Sequence, residues 1–218
     1  EKESLYSFVK DKLSTDEKYI DEVMINLKST GKIVEEEIDE KEWIFLEEFY
    51  RVEKNIATRL YMMMRSQNTK YIKSFENILE KEESLLDIQL SEKQKEALKE
   101  VNNSNVSIIT GGPGTGKTTI IKCIIQILEK LDIKYVLCAP TGRAAKRITE
   151  TTKREARTIH RLLEITKLDN EDIDMLYNLE VKTIEEEFVI VDEASMLDTI
   201  MMNNLIKALG KKTKIIFV

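Results

Sequence analysis

Four of the seven glycines in this 218-residue chain fall within six positions: Gly111, Gly112, Gly114 and Gly116 of GGPGTGKTT, residues 111–119. Lys117 and Thr118 follow at once, so the run satisfies the spacing G-x-x-x-x-G-K-[ST]. Backbone N–H groups converge on an anion only where no Cβ blocks the approach and φ is free to turn positive. A helix beginning at Lys117 aims the positive end of its dipole at the same point. The chemistry is phosphate binding. Gly112, Gly114, Thr115, Gly116, Lys117, Thr118 and Thr119 are the candidate cradle of a nucleotide. Lys117 would reach its β and γ phosphates, and the Thr118 hydroxyl would ligate Mg²⁺.

A second candidate lies in FVIVDEASMLD, residues 188–198, where an apolar run ends in Asp192-Glu193. A strand in a sheet core delivers such carboxylates at its C-terminal end, where α/β sheets place their ligands. Asp192 is suited to hold Mg²⁺, usually through water. Glu193 is suited to orient and deprotonate an attacking water, which favours hydrolysis over transfer to an acceptor. An ordinary acidic strand terminus is the plainer alternative, and the phosphate loop upstream weighs against it.

The third stretch, residues 139–161 (APTGRAAKRITETTKREARTIHR), is basic in an acidic chain. It holds Arg143, Lys146, Arg147, Lys153, Arg154, Arg157 and Arg161 against Glu150 and Glu155, while the whole protein carries 40 acidic and 34 basic side chains. Cations clustered after a strand would meet successive phosphates of a nucleic acid, with a salt-dependent affinity. A solvated helix face balancing acidic regions elsewhere is the alternative, and for Lys153, Arg154 and Arg157 the two readings weigh equally.

The elements that must position these residues read as alternating strands and helices. NVSIIT (105–110), KYVLCAP (134–140), EFVIVD (187–192) and KTKIIFV (212–218) are β-branched apolar runs of strand length with helical patterns between them. Continuous apolar strands separated by helices imply a parallel sheet covered on both faces, hence an α/β fold. The first sixty residues differ, with 16 acidic and 10 basic side chains. A helix over about Thr15–Ser29, with Ile20, Val23, Met24 and Leu27 at helical spacing, precedes two short strands around an acidic turn in KIVEEEIDEKEWIFL. That order is winged-helix-like, but the acidity argues against DNA binding and for a packing module. Residues 1–46 form this module, 47–88 a helical connector whose Met62-Met63-Met64 reads as core filling, and 89–218 the α/β domain. Two cysteines without metal spacing, and no signal or apolar span of membrane length, point to a cytoplasmic protein.

Taken in order, GGPGTGKTT, CAPTGRAAKR, TIHRLL and VDEASMLD resemble the RecD-like DNA helicases of superfamily 1, the branch that moves 5′ to 3′ on single-stranded DNA. The resemblance covers residues 91–218 specifically and the upstream region only in pattern. It implies a RecA-like P-loop fold, ATP and Mg²⁺ as ligands, and single-stranded DNA as partner. It implies adenine recognition by Gln94 of LSEKQKEAL, DNA contacts at Pro140, Thr141, Gly142 and Arg143, and a DNA-facing or coupling place for Thr158, Ile159 and His160. Such proteins continue into a second motor domain that closes the ATP cleft. The start at Glu1 and the end at a bare strand suggest a piece of that kind, expected to bind nucleotide weakly, hydrolyse it poorly and unwind nothing alone. The competing reading is a nucleotide-dependent binding switch without steady turnover. A P-loop kinase would need an acceptor lid, for which no segment is apparent.

Overall fold

The computed structural model describes residues 1–66, 71–86, 89–165 and 180–218. They divide into two compact units, Glu1–Asn55 and Ile56–Val218. The first contains helices α1 (Lys2–Leu13) and α2 (Glu17–Ser29), strands β1 (Ile33–Ile38) and β2 (Lys41–Leu46), and the start of α3 (Glu47–Arg65). β1 and β2 form an antiparallel hairpin pairing Ile33 with Leu46 and Ile38 with Lys41. Its two-residue turn is Asp39-Glu40, both at positive φ (52° and 61°), the twist a tight hairpin needs. Ile20, Met24 and Ile33 make a small core, joined by Leu27 and Ile44, whereas Val23, expected inside, is exposed. The helical stripe narrows to the residues that face the ribbon. The helix α1 had no clear signal in the sequence.

The second unit adds α4 (Phe75–Leu86), α5 (Glu92–Asn103), β3 (Val106–Ile108), α6 (Lys117–Lys130), β4 (Tyr135–Ala139), α7 (Gly142–Thr152), β5 (Ala156–Thr158), α8 (Ile159–Leu162), β6 (Phe188–Val191) and, after a 3₁₀ turn, α9 (Thr199–Ala208) and β7 (Lys214–Phe217). Its five-stranded sheet runs β3-β7-β6-β4-β5, with every pairing parallel. The four expected strands are present. β5, three residues inside the basic run, is the one that apolar content could not announce.

Successive side chains of a strand point to opposite faces, and here both faces are apolar. Leu137, Phe188, Ile190 and Ile216 enter one core with α4, α5 and α6, of which α6 alone buries seven side chains. Cys138, Val189, Val191, Ile215 and Phe217 enter the other with α8 and α9. Burying a Leu, Ile or Phe side chain is worth about 1.5–3 kcal/mol, so this two-sided sheet is the rigid frame of the unit. Of the methionine triplet only Met63 packs into that core, and Met62 and Met64 are exposed. Ile72, Phe75 and Leu79 of the expected connector lie in the first of these cores. Both cysteines are free and buried, and burial pushes the Cys123 thiol up to about 11 and the Cys138 thiol up to about 12. No helix among the described residues is long and apolar enough to cross a membrane.

Candidate functional site

Because all five strands are parallel, their C-terminal ends share one edge. The register sets Ile108, Phe217, Val191, Cys138 and Arg157 level across the sheet. One step further on, the Ile109, Val218 and Asp192 N–H groups donate to the carbonyls of Phe217, Val191 and Cys138 at 2.8, 2.9 and 3.0 Å. Along this edge stand, in order, the glycine loop after β3, the end of β7, Asp192-Glu193 after β6, PTGR after β4 and Thr158-Ile159-His160 after β5.

The glycine loop occupies the β3 end. Gly114 and Gly116 have φ of 77° and 84°, and a Cβ at Gly112 or Gly114 would meet nothing within 4 Å, so the loop backbone is open to an incoming group. Gly116 caps the start of α6, and Thr115 ties the loop together by donating its hydroxyl to the Gly112 carbonyl at 2.9 Å. Lys117 Nζ donates to the Gly111 and Gly112 carbonyls at 2.5 and 3.2 Å. The ammonium thus lies against the carbonyls of its own loop. Thr118 and Thr119 follow in the first turn, half-buried.

Gln94 reaches this loop from α5. Its Oε1 accepts from Ser91 N–H at 2.9 Å and Ser91 Oγ accepts from Gln94 N–H at 3.4 Å, a capping box that opens α5. Its Nε2 donates to the Thr115 carbonyl at 3.2 Å. The cap Ser91 was missed in the sequence, although serine followed three residues later by glutamine is its signature.

Asp192 and Glu193 stand in the middle of the edge, both half-buried. Burial holds the Asp192 carboxyl above its ordinary value, opposed by the Glu193 N–H, reinforced by the Glu193 charge and drawn down by Arg147 and Lys117. Glu193 sits in the left-handed region at φ 53°, an uncommon conformation for a non-glycine residue. Its Oε1 accepts from Arg147 Nη1 at 2.9 Å. No group of three or more His, Cys, Asp or Glu able to hold a metal exists among the described residues. Asp192 offers a half-buried carboxylate and Thr118 a half-buried hydroxyl just after the glycine loop, and these donors suit Mg²⁺ in kind, since it takes one or two protein carboxylates and completes its shell with phosphates and water.

At the far end two helices begin from adjacent strand ends, β4 and β5. Thr141 Oγ1 accepts from Ala144 N–H at 3.2 Å, capping α7, and Thr158 Oγ1 accepts from Arg161 N–H at 3.2 Å, capping the one-turn α8. Ala139 and Thr158 are paired in the sheet, so the two helices start from neighbouring strand ends. Pro140 is buried, and Gly142, Arg143 and His160 are exposed. The basic run divides sharply. Arg154 binds Glu129, its Nη2 donating at 2.8 Å, and Tyr135 OH donates to the same carboxylate at 2.8 Å. Arg157 pairs with Glu155 at 3.1 Å, Lys146 with Glu150 at 3.9 Å and Arg147 with Glu193. Arg143, Lys153 and Arg161 make no ion pair with a described residue.

A parallel sheet with a glycine loop at one strand end and a carboxylate pair two strands away defines a P-loop nucleotide-binding protein. The AAA domain family matches residues 94–218, and the chain belongs to that family. It is 36% identical over 209 residues to the RecBCD enzyme subunit RecD of Buchnera aphidicola, an alignment spanning 86% of this chain and 33% of that protein. It is 35% identical over 129 residues to the ATP-dependent RecD2 DNA helicase of Deinococcus radiodurans, covering 59% of this chain and 17% of the other. A Pif1 helicase structure from Bacteroides aligns with 61% of this chain and 32% of its own at 26% identity and a TM-score of 0.45. The chain thus spans a third or less of the length of these curated relatives.

Proposed function

We propose that this chain is the nucleotide-binding half of an ATP-driven DNA helicase or translocase of the 5′ to 3′ type, with residues 89–218 as its first motor domain. The observation that carries the reading is the order along one sheet edge: phosphate loop, then carboxylate pair, then two capped helix starts beside exposed cations. A site for ATP and a site for a polyanion share one rigid frame, with the group that would activate water between them.

In this reading Gly112, Gly114, Thr115 and Gly116 surround the phosphates with backbone N–H groups, and Lys117 leaves its carbonyl partners for them. Thr118 and Asp192 hold Mg²⁺, which neutralises charge developing on the phosphates. Glu193 takes the proton of the attacking water. Gln94, fixed by Ser91 and Thr115, presents its amide beside the loop, where an adenine would be selected. Pro140, Thr141, Gly142, Arg143, Thr158 and His160 face the single strand. The two threonine oxygens already serve as caps, so their N–H-rich helix starts and Arg143 carry the phosphate contacts. The second wall of the ATP cleft would come from a further motor domain of the same protein.

The test is ATP hydrolysis by the intact longer protein with and without a single-stranded oligonucleotide. DNA should stimulate turnover strongly. Glu193→Gln should retain nucleotide affinity and lose turnover by on the order of 10²-fold or more. Clear nucleotide binding with no stimulation by DNA would replace the motor with a binding switch.

A further inference from the structure

Arg147 carries no role in that motor, yet its guanidinium is hydrogen-bonded to the residue on which hydrolysis would depend. It lies on α7, one helical turn beyond Arg143, on the helix that Thr141 caps. From there it reaches across from the β4 side of the edge to β6 and donates to Glu193 Oε1 at 2.9 Å. Glu193 is held at φ 53° while it makes this contact. The guanidinium is mostly exposed and the carboxylate partly so. An exposed pair of this kind is weak enough to be exchanged for another anion.

We propose that Arg147 is a positioning residue that holds Glu193 when no DNA is bound, and that a phosphate of the single strand on α7 competes for the guanidinium and frees the carboxylate. The inference rests on the motor reading and adds to it a physical link between the two ends of the sheet edge. Arg147 and Arg143 are four residues apart and project from the same side of α7, so a strand that meets Arg143 passes within reach of Arg147. Guanidinium groups bind carboxylate and phosphate with the same fork of donors, which makes the exchange chemically even. Pairing with Arg147 engages Oε1 and holds the carboxylate in one orientation, so it is not free to turn toward an attacking water. Turnover without DNA is thereby kept low at little cost to nucleotide binding, since neither Lys117 nor the glycine loop touches Arg147.

Competition for one group is reciprocal, so the link is measurable without hydrolysis. If Glu193 and DNA compete for Arg147, neutralising Glu193 must tighten DNA binding in the absence of nucleotide. In the intact protein, Glu193→Gln should raise single-stranded DNA affinity about two- to fivefold, the range an exposed pair supports. It should also steepen the dependence on salt by about 0.7 in log–log slope, one phosphate's worth. In an Arg147→Ala background the same change should give neither effect beyond the loss of a distant charge. Arg147→Ala alone should raise DNA-free ATP hydrolysis by about two- to fivefold, lower the ratio of stimulation by the same factor and leave nucleotide affinity unchanged. Arg147→Lys, which keeps the charge, should restore the low rate.

If wild type is stimulated by DNA but the Glu193→Gln effect on affinity is equal in both backgrounds, the proposal is wrong and the motor reading stands. If Arg147→Ala lowers DNA-free and DNA-stimulated rates alike, Arg147 supports catalysis directly and the proposal is overturned. If wild type binds no DNA, both readings fall together.

Discussion

The two ends of the sheet's carboxyl edge are built by opposite means. At the β3 end, anion binding would be backbone work: glycines at φ of 77° and 84°, an open loop, and one lysine resting on carbonyls of that loop. At the β4 and β5 end it would be the work of side chains and helix starts, and most of the charge there is already spent. Of seven cations, Lys146, Arg147, Arg154 and Arg157 pair with carboxylates of the same unit. A local surplus of positive charge therefore overstates the capacity to meet phosphate. What matters is which cations lack a carboxylate partner, and among the described residues Arg143 makes no ion pair and stands beside a helix cap.

This contrast can be broken most forcefully at the loop. A Cβ on Gly116 would collide with Gln94 Nε2 and force a left-handed conformation on a branched residue. Gly116→Val should lower nucleotide affinity by tenfold or more, at about 1–2 kcal/mol of backbone strain, as read by titration with a fluorescent nucleotide. DNA affinity without nucleotide should be unchanged.

The opposite edge of the sheet gives a cation with no ligand to meet. Lys214, at the start of β7, is 1% exposed, and its Nζ donates to the Asn102 carbonyl at 2.5 Å. Burial pushes its ammonium down to about 8 from 10.5. A lysine whose folded value is depressed costs stability in full below the folded value, and the cost disappears as pH rises through the unfolded one. Between pH 8 and 10.5 the unfolded chain binds the extra proton, so wild-type stability gains from this group as pH rises. Urea unfolding of wild type and Lys214→Met should show the variant's relative stability falling across that window by on the order of 1–3 kcal/mol. A flat difference would place the lysine in solvent.

Within the basic run the comparison sharpens at two arginines. Arg143→Ala should weaken single-stranded DNA binding several-fold and reduce the log–log salt slope by about 0.7. Arg154→Ala should leave that slope alone and lower thermal stability slightly, because Arg154 bridges to Glu129 and through it to Tyr135. Equal losses of slope in both variants would mean that the ion pair does not persist in solution. The smallest effect is expected at Ser91→Ala, which removes the cap of α5 at about 1 kcal/mol and loosens Gln94 against Thr115.

The glycine loop, the strand carrying Asp192 and all four apolar strands were legible because each is a local pattern. A phosphate loop needs its glycines contiguous, and a strand buried on both faces must be apolar throughout. β5 was not legible, since ART gains its place by pairing with Leu137–Ala139 and not by its own composition. The Arg147–Glu193 pair was hidden for the same reason: 46 residues separate its members, and only the register of β4 on β6 brings them together. Met62 and Met64 failed as core because the helical pattern does not fix the width of the buried stripe. Partial legibility followed wherever function is written in consecutive residues.

Whether one sheet edge offers two separate anion sites is tested most directly by measuring both affinities in two variants of the intact protein. Lys117→Ala should lose ATP affinity and keep nucleotide-free affinity for a single-stranded oligonucleotide, while Arg143→Ala should lose DNA affinity and keep that for ATP. Loss of both affinities in either variant would contradict the separation.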